Sequence, residues 1–256
     1  MRARRLVAVA SVAIGLVALS GCRAEPGVAA YVGDQRITED AVAGVMADLR
    51  AKNPTPGGES TAPDARPSAP APQLPGRGEV VSVLVLGEVC AQVSAEKNYQ
   101  PRGAVAAAQL AQQFGLSPDT DYVRRVADLY TCLSGVPTGA PAAPTEQELR
   151  DVVAAGREAG AIPADVTDEA AAGQLDGAQF RTALATRKAL AEVVAAHDVT
   201  VNPRYRPLEF PVLSFAGNAP AVSVPLGEPG SDAVTDVSTP DPLPPAGAEA
   251  AGPADS

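Results

Sequence analysis

The sequence predicts a mostly α-helical domain with a small two-stranded β element, and three observations lead to this fold class. Apolar residues recur at helical spacing through most of the segments between residues 39 and 197. Thr or Ser stands where several of these segments begin, and both residue types cap helices. Val28–Val32 and Val199–Val201 have the alternating pattern of short strands. Because strands this short do not persist alone, we expect these two, at the N- and C-terminal ends of the domain, to pair.

The first helix is predicted directly after the first strand and a short turn at Gly33. Thr38 is placed to cap this helix, and the two acidic residues that follow it favour the positive end of the helix dipole. Four apolar residues then occur at the spacing of one helix face: Val42, Val45, Met46 and Leu49. This face is expected to pack on the core of the domain.

Three further helices are predicted before residue 135. The apolar segment Val80–Leu86 alone is compatible with a buried strand, but the pattern continues at helical spacing to Val93, which favours a buried helix. A helix closed by Gly115 follows, since glycine commonly ends helices. Ser117 is the expected N-cap of the next helix.

The C-terminal half of the domain is also predicted to be helical. A linker rich in Pro, Gly and Ala, Gly135–Pro144, comes first. Thr145 and Glu148 then have the spacing of a capping box, in which each side chain satisfies a backbone amide of the other residue. Residues 167–197 are mostly helical in pattern, and two glycines near the start of this stretch are expected to break or fray it.

Two segments rich in proline are not expected to fold. Residues 53–78 contain seven prolines and four glycines and predict a disordered insertion, with a ligand for a proline-binding module as the alternative. Residues 217–256 predict an extended to disordered acidic tail. The folded domain is therefore expected to span residues 28–216.

The start of the chain has the features of an export signal. Arginines precede an apolar run, Leu6–Leu19, which is too short for a spanning helix of about 20 residues. The run ends in the sequence LSGC, which resembles the lipobox of bacterial lipoproteins. This resemblance implies a signal peptide over residues 1–21, a lipid on Cys22 and a tether over residues 22–27. An ordinary signal peptide that happens to contain a cysteine is the alternative.

The cysteines and the charge restrict the partners and the compartment. Cys22 would be consumed by lipid, which leaves Cys90 and Cys132 as a pair in a compartment that permits oxidation. We expect a disulfide between them, with two free buried thiols as the alternative. The net charge of −10 argues against nucleic acid and anionic headgroups as direct partners, because like charges repel.

One segment resembles a known family. The sequence VAAYVGDQRITEDAV, within residues 28–50, is similar to the start of the SurA N-terminal domain family. Residues 79–216 resemble, more loosely, lipoproteins of high-GC Gram-positive bacteria that carry this domain. The resemblance implies a helical, chaperone-like module that cradles unfolded segments of exported proteins. Relatives with a parvulin prolyl isomerase domain carry it before the last long helix, where this chain has only Gly135–Pro144, so isomerase activity is not implied.

Candidate catalytic residues are few. The single histidine, His197, stands at the end of a predicted helix, and no triad pattern or set of metal ligands accompanies it. Glu146 and Glu148 are two positions apart on a helix, so they do not face each other, and capping explains their spacing. No phosphate-binding loop pattern is present. We expect no catalytic residues, no metal and no cofactor.

Two classes of function fit these features. The first is a monomeric holdase or folding factor, lipid-anchored at the outer face of the plasma membrane, whose partners are unfolded or exported polypeptides. The second is a structural or adaptor lipoprotein that docks one folded partner. An apolar cleft broad enough for diverse extended peptides would favour the first class, and a small defined patch would favour the second. The sequence does not locate the peptide-binding residues.

Overall fold

The computed structural model describes residue 25 and residues 27–54, 74–216 and 219–227, which form seven α-helices, five β-strands and one 3-10 turn. In chain order the elements are β1 Val28–Val32, β2 Gln35–Thr38, α1 Glu39–Lys52, α2 Arg77–Lys97, α3 Ala107–Phe114, α4 Asp121–Leu133, α5 Glu146–Glu158, α6 Asp168–Leu175, α7 Ala178–Ala195, β3 Val199–Val201, the 3-10 turn Pro203–Tyr205, β4 Glu209–Ser214 and β5 Pro220–Pro225. The predicted fold class, mostly α with a small β element, is confirmed.

The strands at the two ends of the domain pair as predicted. β1 is the central strand of an antiparallel sheet of order β2-β1-β3, in which Ala30 lies opposite Val201 and Val32 lies opposite Val199. All five residues of β1 are buried. The expected sheet of two strands gains a third, because the chain reverses at Gly33, whose φ of +56° suits glycine, and returns as β2 before α1 begins.

Threonine hydroxyls define where four helices begin. Each accepts a hydrogen bond from the backbone amide three residues further on, and the four are Thr38, Thr120, Thr145 and Thr167. The predicted caps at Thr38 and Thr145 are confirmed. The predicted cap at Ser117 is wrong, because α4 begins three residues later, after Thr120, whose hydroxyl donates to the Ser117 carbonyl at 3.0 Å.

The predicted helical stretch over residues 167–197 consists of two helices, α6 and α7. They are separated at Asp176 and Gly177, and Gly177 is extended with φ −113° and ψ 170°. Arg181, in the first turn of α7, donates to both carboxylate oxygens of Asp176, at 2.8 and 2.9 Å. This bidentate ion pair holds the corner between the two helices.

α2 is the central helix of the main core. Its buried residues begin at Val80 and end at Val93, which confirms the helix rather than the strand for Val80–Leu86. The Cys90 and Cys132 sulfurs are 2.03 Å apart, so α2 and α4 are joined at disulfide distance, as predicted. Among the described helices, α2 alone has the length and apolar composition to cross a membrane, but half of its apolar window is buried in this domain, as is common for a core helix.

A smaller second core lies between α5, α7 and an antiparallel hairpin of β4 and β5. Its buried members are Val152, Phe180, Ala183, Leu184 and Val222. This hairpin is absent from the sequence prediction. It extends the folded domain beyond the expected boundary at residue 216, since Val224 and Leu226 are 0% and 1% exposed.

Both ends of the predicted insertion over residues 53–78 belong to the folded domain. Asn53 belongs to the end of α1, where its side-chain amide donates to the Leu49 carbonyl at 2.9 Å and its side-chain oxygen accepts from the Ser117 amide at 2.8 Å. At the other side α2 already begins at Arg77. Residues 55–73 of the predicted insertion lie outside the described residues.

Candidate functional site

An open groove of 960 Å³ lies along α7. One wall is the face of α7 between residues 181 and 195, and the other is the linker between α4 and α5, residues 137–143. Ser223 and Pro225 of β5 form part of the border. We refer to the surface made by these residues as the α7 groove.

Alanine side chains form much of the α7 wall. Ala185 and Ala189 are half-buried and four residues apart, so they lie above each other on one helix face. Leu184, 9% exposed, connects this wall to the smaller core beneath it. Because alanine fills little volume, the surface between the neighbouring charged side chains stays concave and apolar.

The linker wall has no regular secondary structure and carries unused backbone groups. Val136 anchors its start, since this side chain is 4% exposed and its amide donates to the Leu133 carbonyl at 3.1 Å. From Pro137 to Ala143 the residues are exposed, and within the described part of the chain their backbone groups make no hydrogen bond. These amides and carbonyls remain available to a second extended chain.

Charged side chains border the groove. Arg187 donates to the Glu148 carboxylate at 2.7 Å, and Glu148 also closes the capping box of α5 by accepting from the Thr145 amide at 2.8 Å. The hydrogen bonds from Thr145, with the charge of Arg187, outweigh partial burial and lower the pKa of Glu148 below its usual value. Lys188 is exposed and takes part in no ion pair with the described residues.

Two other concave surfaces lie on the domain. One, of 290 Å³, borders the main core and is lined by residues that include Tyr130 and Phe210. Burial raises the pKa of the Tyr130 hydroxyl. The other, of 580 Å³, lies between α5 and the hairpin and carries three carboxylates, Asp151, Glu158 and Glu209. The α7 groove has a larger volume than either and combines an apolar wall with Lys188, which has no ion pair within the described residues.

The single histidine lies outside the groove. The side chain of His197 is 6% exposed, and its Nδ1 donates to the Val193 carbonyl at 2.7 Å. Its buried Nε2 has no hydrogen-bond partner among the described residues and lies 3.6 Å from a Glu96 carboxylate oxygen. Within the described residues, no group of three or more His, Cys, Asp or Glu side chains is arranged to hold a metal ion.

A compact polar cluster connects both ends of the domain. Glu39, at the start of α1, accepts from the Arg77 guanidinium at 2.7 Å and from the Tyr205 hydroxyl at 2.9 Å. Arg204 lies 3.4 Å from the same carboxylate. Burial acts against the charge of Glu39, but these hydrogen bonds and the two guanidinium charges outweigh it, so its pKa is lowered. The cluster is a structural clasp between α1, α2 and the 3-10 turn.

The structure separates the residues that the sequence singled out. Cys90 and Cys132 come together in the core, whereas Cys22 lies outside the described residues. Glu148 borders the α7 groove, and Glu146 is exposed on the first turn of α5. The groove itself was missed, and the alternation of alanine with charged residues in α7 is the signal that could have indicated it.

The comparisons with known proteins do not assign this chain to a family. No family model matches this chain, no curated protein matches it, and no solved structure matches it.

Proposed function

We propose that this chain is a non-enzymatic, lipid-anchored protein of the extracytoplasmic face of the plasma membrane that holds unfolded segments of exported polypeptides. The α7 groove is the proposed binding surface. This proposal joins the lipobox-like sequence around Cys22 with the chaperone-like module that the resemblance of residues 28–50 implies. It needs no cofactor, and the protein acts as a monomer.

The observation that carries the proposal is the shape and chemistry of the α7 groove. It is open, 960 Å³ in volume, and long enough for several residues of an extended chain. Its alanine wall favours apolar side chains of varied shape without a pocket for one particular residue. The backbone groups of residues 137–143, which make no hydrogen bond within the described residues, can bond to the backbone of a client whatever its sequence. Such a surface suits many unfolded chains.

Substitutions in the groove wall test this proposal. Ala185→Glu and Ala189→Glu each place a carboxylate on the apolar wall, and neither residue belongs to the two core clusters. Because an apolar client segment would then have to bury a charge, we expect the concentration that suppresses client aggregation to rise about tenfold. The measurement is light scattering of several unrelated unfolded proteins. Ala154→Glu, on the exposed face of α5, is the matched control.

Two results would contradict the proposed holdase function. One is a failure of the unmodified protein to protect any unfolded client, and the other is an equal loss in the groove variants and the control. Tight binding of one native protein, with no affinity for unfolded chains, would support the adaptor instead. Client binding is expected to weaken little with salt, since apolar contacts carry it, whereas a charge-driven adaptor would weaken strongly.

Lipidation has its own test. Cys22→Ala removes the thiol that would take the lipid, so we expect the protein to be released from the membrane or to remain unprocessed. Fractionation of cells and intact-mass measurement report both outcomes. Normal processing with full membrane retention in the variant would refute the anchor.

A further inference from the structure

We propose that residues 228–256 of this chain dock in the α7 groove and occupy it when no other chain is bound. These residues lie outside the described structure, and the proposal rests on where the described chain ends, on the length that follows and on charge. It shares the groove with the proposed function but requires no client.

The described chain ends beside the groove. Pro225 lines it, and the next residue, Leu226, is fixed because its amide donates to the Leu208 carbonyl at 2.8 Å and its side chain is 1% exposed. Gly227 packs so closely on β3 that an added Cβ would lie 3.2 Å from the Val199 carbonyl oxygen. Three residues separate the end of α7 from Val199, so the described chain ends near the C-terminal end of α7, where the groove begins.

The length of the following segment is ample. Ala195 and Lys188 both line the groove, and the seven-residue interval between them corresponds to about 10 Å along the helix axis. The whole wall back to Arg181 measures about 21 Å. Residues 228–256 can extend to roughly 95 Å. Because the segment is covalently attached at the groove, its effective concentration there is in the millimolar range, on the order of that for short flexible linkers.

The charges of the α7 groove and of residues 228–256 are complementary. Residues 228–256 contain six Asp and Glu residues and no Lys, Arg or His, and most of the others are Ala, Pro, Gly and Val. The two arginines of the groove are already paired with carboxylates of the domain, whereas Lys188 pairs with no carboxylate of the described residues. Glu192, one turn after Lys188, also borders the groove and disfavours acids at its own position. Lys188 is therefore the cation expected to receive a carboxylate of the segment.

The lysine content of the chain makes a sharp experiment possible. The chain has three lysines, Lys52, Lys97 and Lys188. A carbodiimide joins an amine to a carboxylate that touches it, with loss of water, and mass spectrometry locates the new amide. Residues 23–256, which include every described element, are the protein used. We expect residues 228–256 to couple to Lys188 about tenfold more than to Lys97, as expected for a docked rather than a free segment.

Lys97 is a matched control. It is exposed, and its neighbour Glu96 approaches His197 at the same end of α7, so a free segment would meet it as often. Lys52, which contacts Asp48 at 2.6 Å, reports that the reagent couples an existing ion pair. Equal coupling to Lys188 and Lys97, or none to Lys188, would overturn the proposal.

Two further arms separate the remaining possibilities. In a mixture of ¹⁴N- and ¹⁵N-labelled chains, docking within one molecule gives no mixed cross-links, whereas mixed cross-links to Lys188 would overturn it in favour of a second copy. Ala185→Glu should lower coupling to Lys188, and Ala154→Glu should not. If coupling to Lys188 is seen but removal of residues 228–256 leaves client binding unchanged, docking stands and the holdase assignment of the groove fails.

Discussion

The clasp around Glu39 gives a prediction whose size follows from its geometry. The Tyr205 hydroxyl donates to both carboxylate oxygens of Glu39, at 2.9 and 3.1 Å, and the Glu39 side chain is 15% exposed. Tyr205→Phe removes this donor and leaves the ring. A hydrogen bond to a charged group contributes about 1.5–3 kcal/mol, and Glu39 keeps Arg77, so we expect a loss of about 1.5 kcal/mol in unfolding free energy.

Urea denaturation at pH 7 measures this loss directly. For a domain of this size, the same loss corresponds to a Tm lower by roughly 3–6 °C. Tyr99→Phe is the control, because Tyr99 is half-buried and its hydroxyl makes no hydrogen bond with the described residues. The control should change the free energy of unfolding by less than about 0.5 kcal/mol.

The effect should depend on pH with a definite sign. The folded-state pKa of Glu39 is lowered from its ordinary value of 4.5, so the charged carboxylate stabilises the fold above that pH. This contribution is lost as the pH falls through the folded pKa. The difference between the natural protein and Tyr205→Phe should therefore be full at pH 7 and shrink below the usual Glu range. An equal difference at pH 3 and pH 7, or a Tyr205→Phe effect no larger than that of Tyr99→Phe, would refute this reasoning.

Two other predictions follow from packing and from the cysteine pair. Gly156→Ala in α5 should destabilise the domain by about 1 kcal/mol or more, because the new Cβ would lie 2.6 Å from Ile162 Cδ1. The free-energy cost of this clash is expected to exceed the usual gain in helix propensity. Gly173→Ala in α6, where nothing lies within 4 Å of the new Cβ, should instead stabilise the domain by up to about 1 kcal/mol. Thermal melts of both variants measure these opposite changes in stability. Reductant should add the mass of two hydrogens to the intact protein, as Cys90 and Cys132 are freed. Replacing both by Ala should cost about 4 kcal/mol, from a closed loop of 42 residues, and an unchanged mass or unchanged stability would exclude the bond.

Local chemistry explains why most helices were predictable. The helix starts at Thr38 and Thr145 depend on a side chain that satisfies an amide three residues away, and this signal is complete within four residues of sequence. The cap at Ser117 was misplaced because Thr120 offers the same chemistry three residues later, and the hydroxyl and amide of Thr120 both bond back to the Ser117 carbonyl. Sequence alone does not choose between two adjacent caps.

The hairpin and the groove depend on contacts that sequence patterns do not encode. β4 contains Pro211, and β5 begins and ends with proline. Because proline argues against a strand, the sequence pattern predicts neither of them. Their pairing is stabilised by burial of Phe210 and Val222 in two different cores. The groove is concave because Ala185 and Ala189 face a linker that no helical pattern positions.

The position of β1 in the sheet imposes an order on folding. All five of its residues are buried, and one of its partners is the last short strand before the hairpin. The Asn202 side chain, which donates to the Val28 carbonyl at 2.9 Å, is 174 positions further along the chain. Contacts this distant close late, because the loop between them must be ordered first. A chain that emerges N-terminus first therefore leaves one edge of β1 unpaired until Asn202 has also emerged, and during that interval it is itself an unfolded polypeptide with an exposed strand edge.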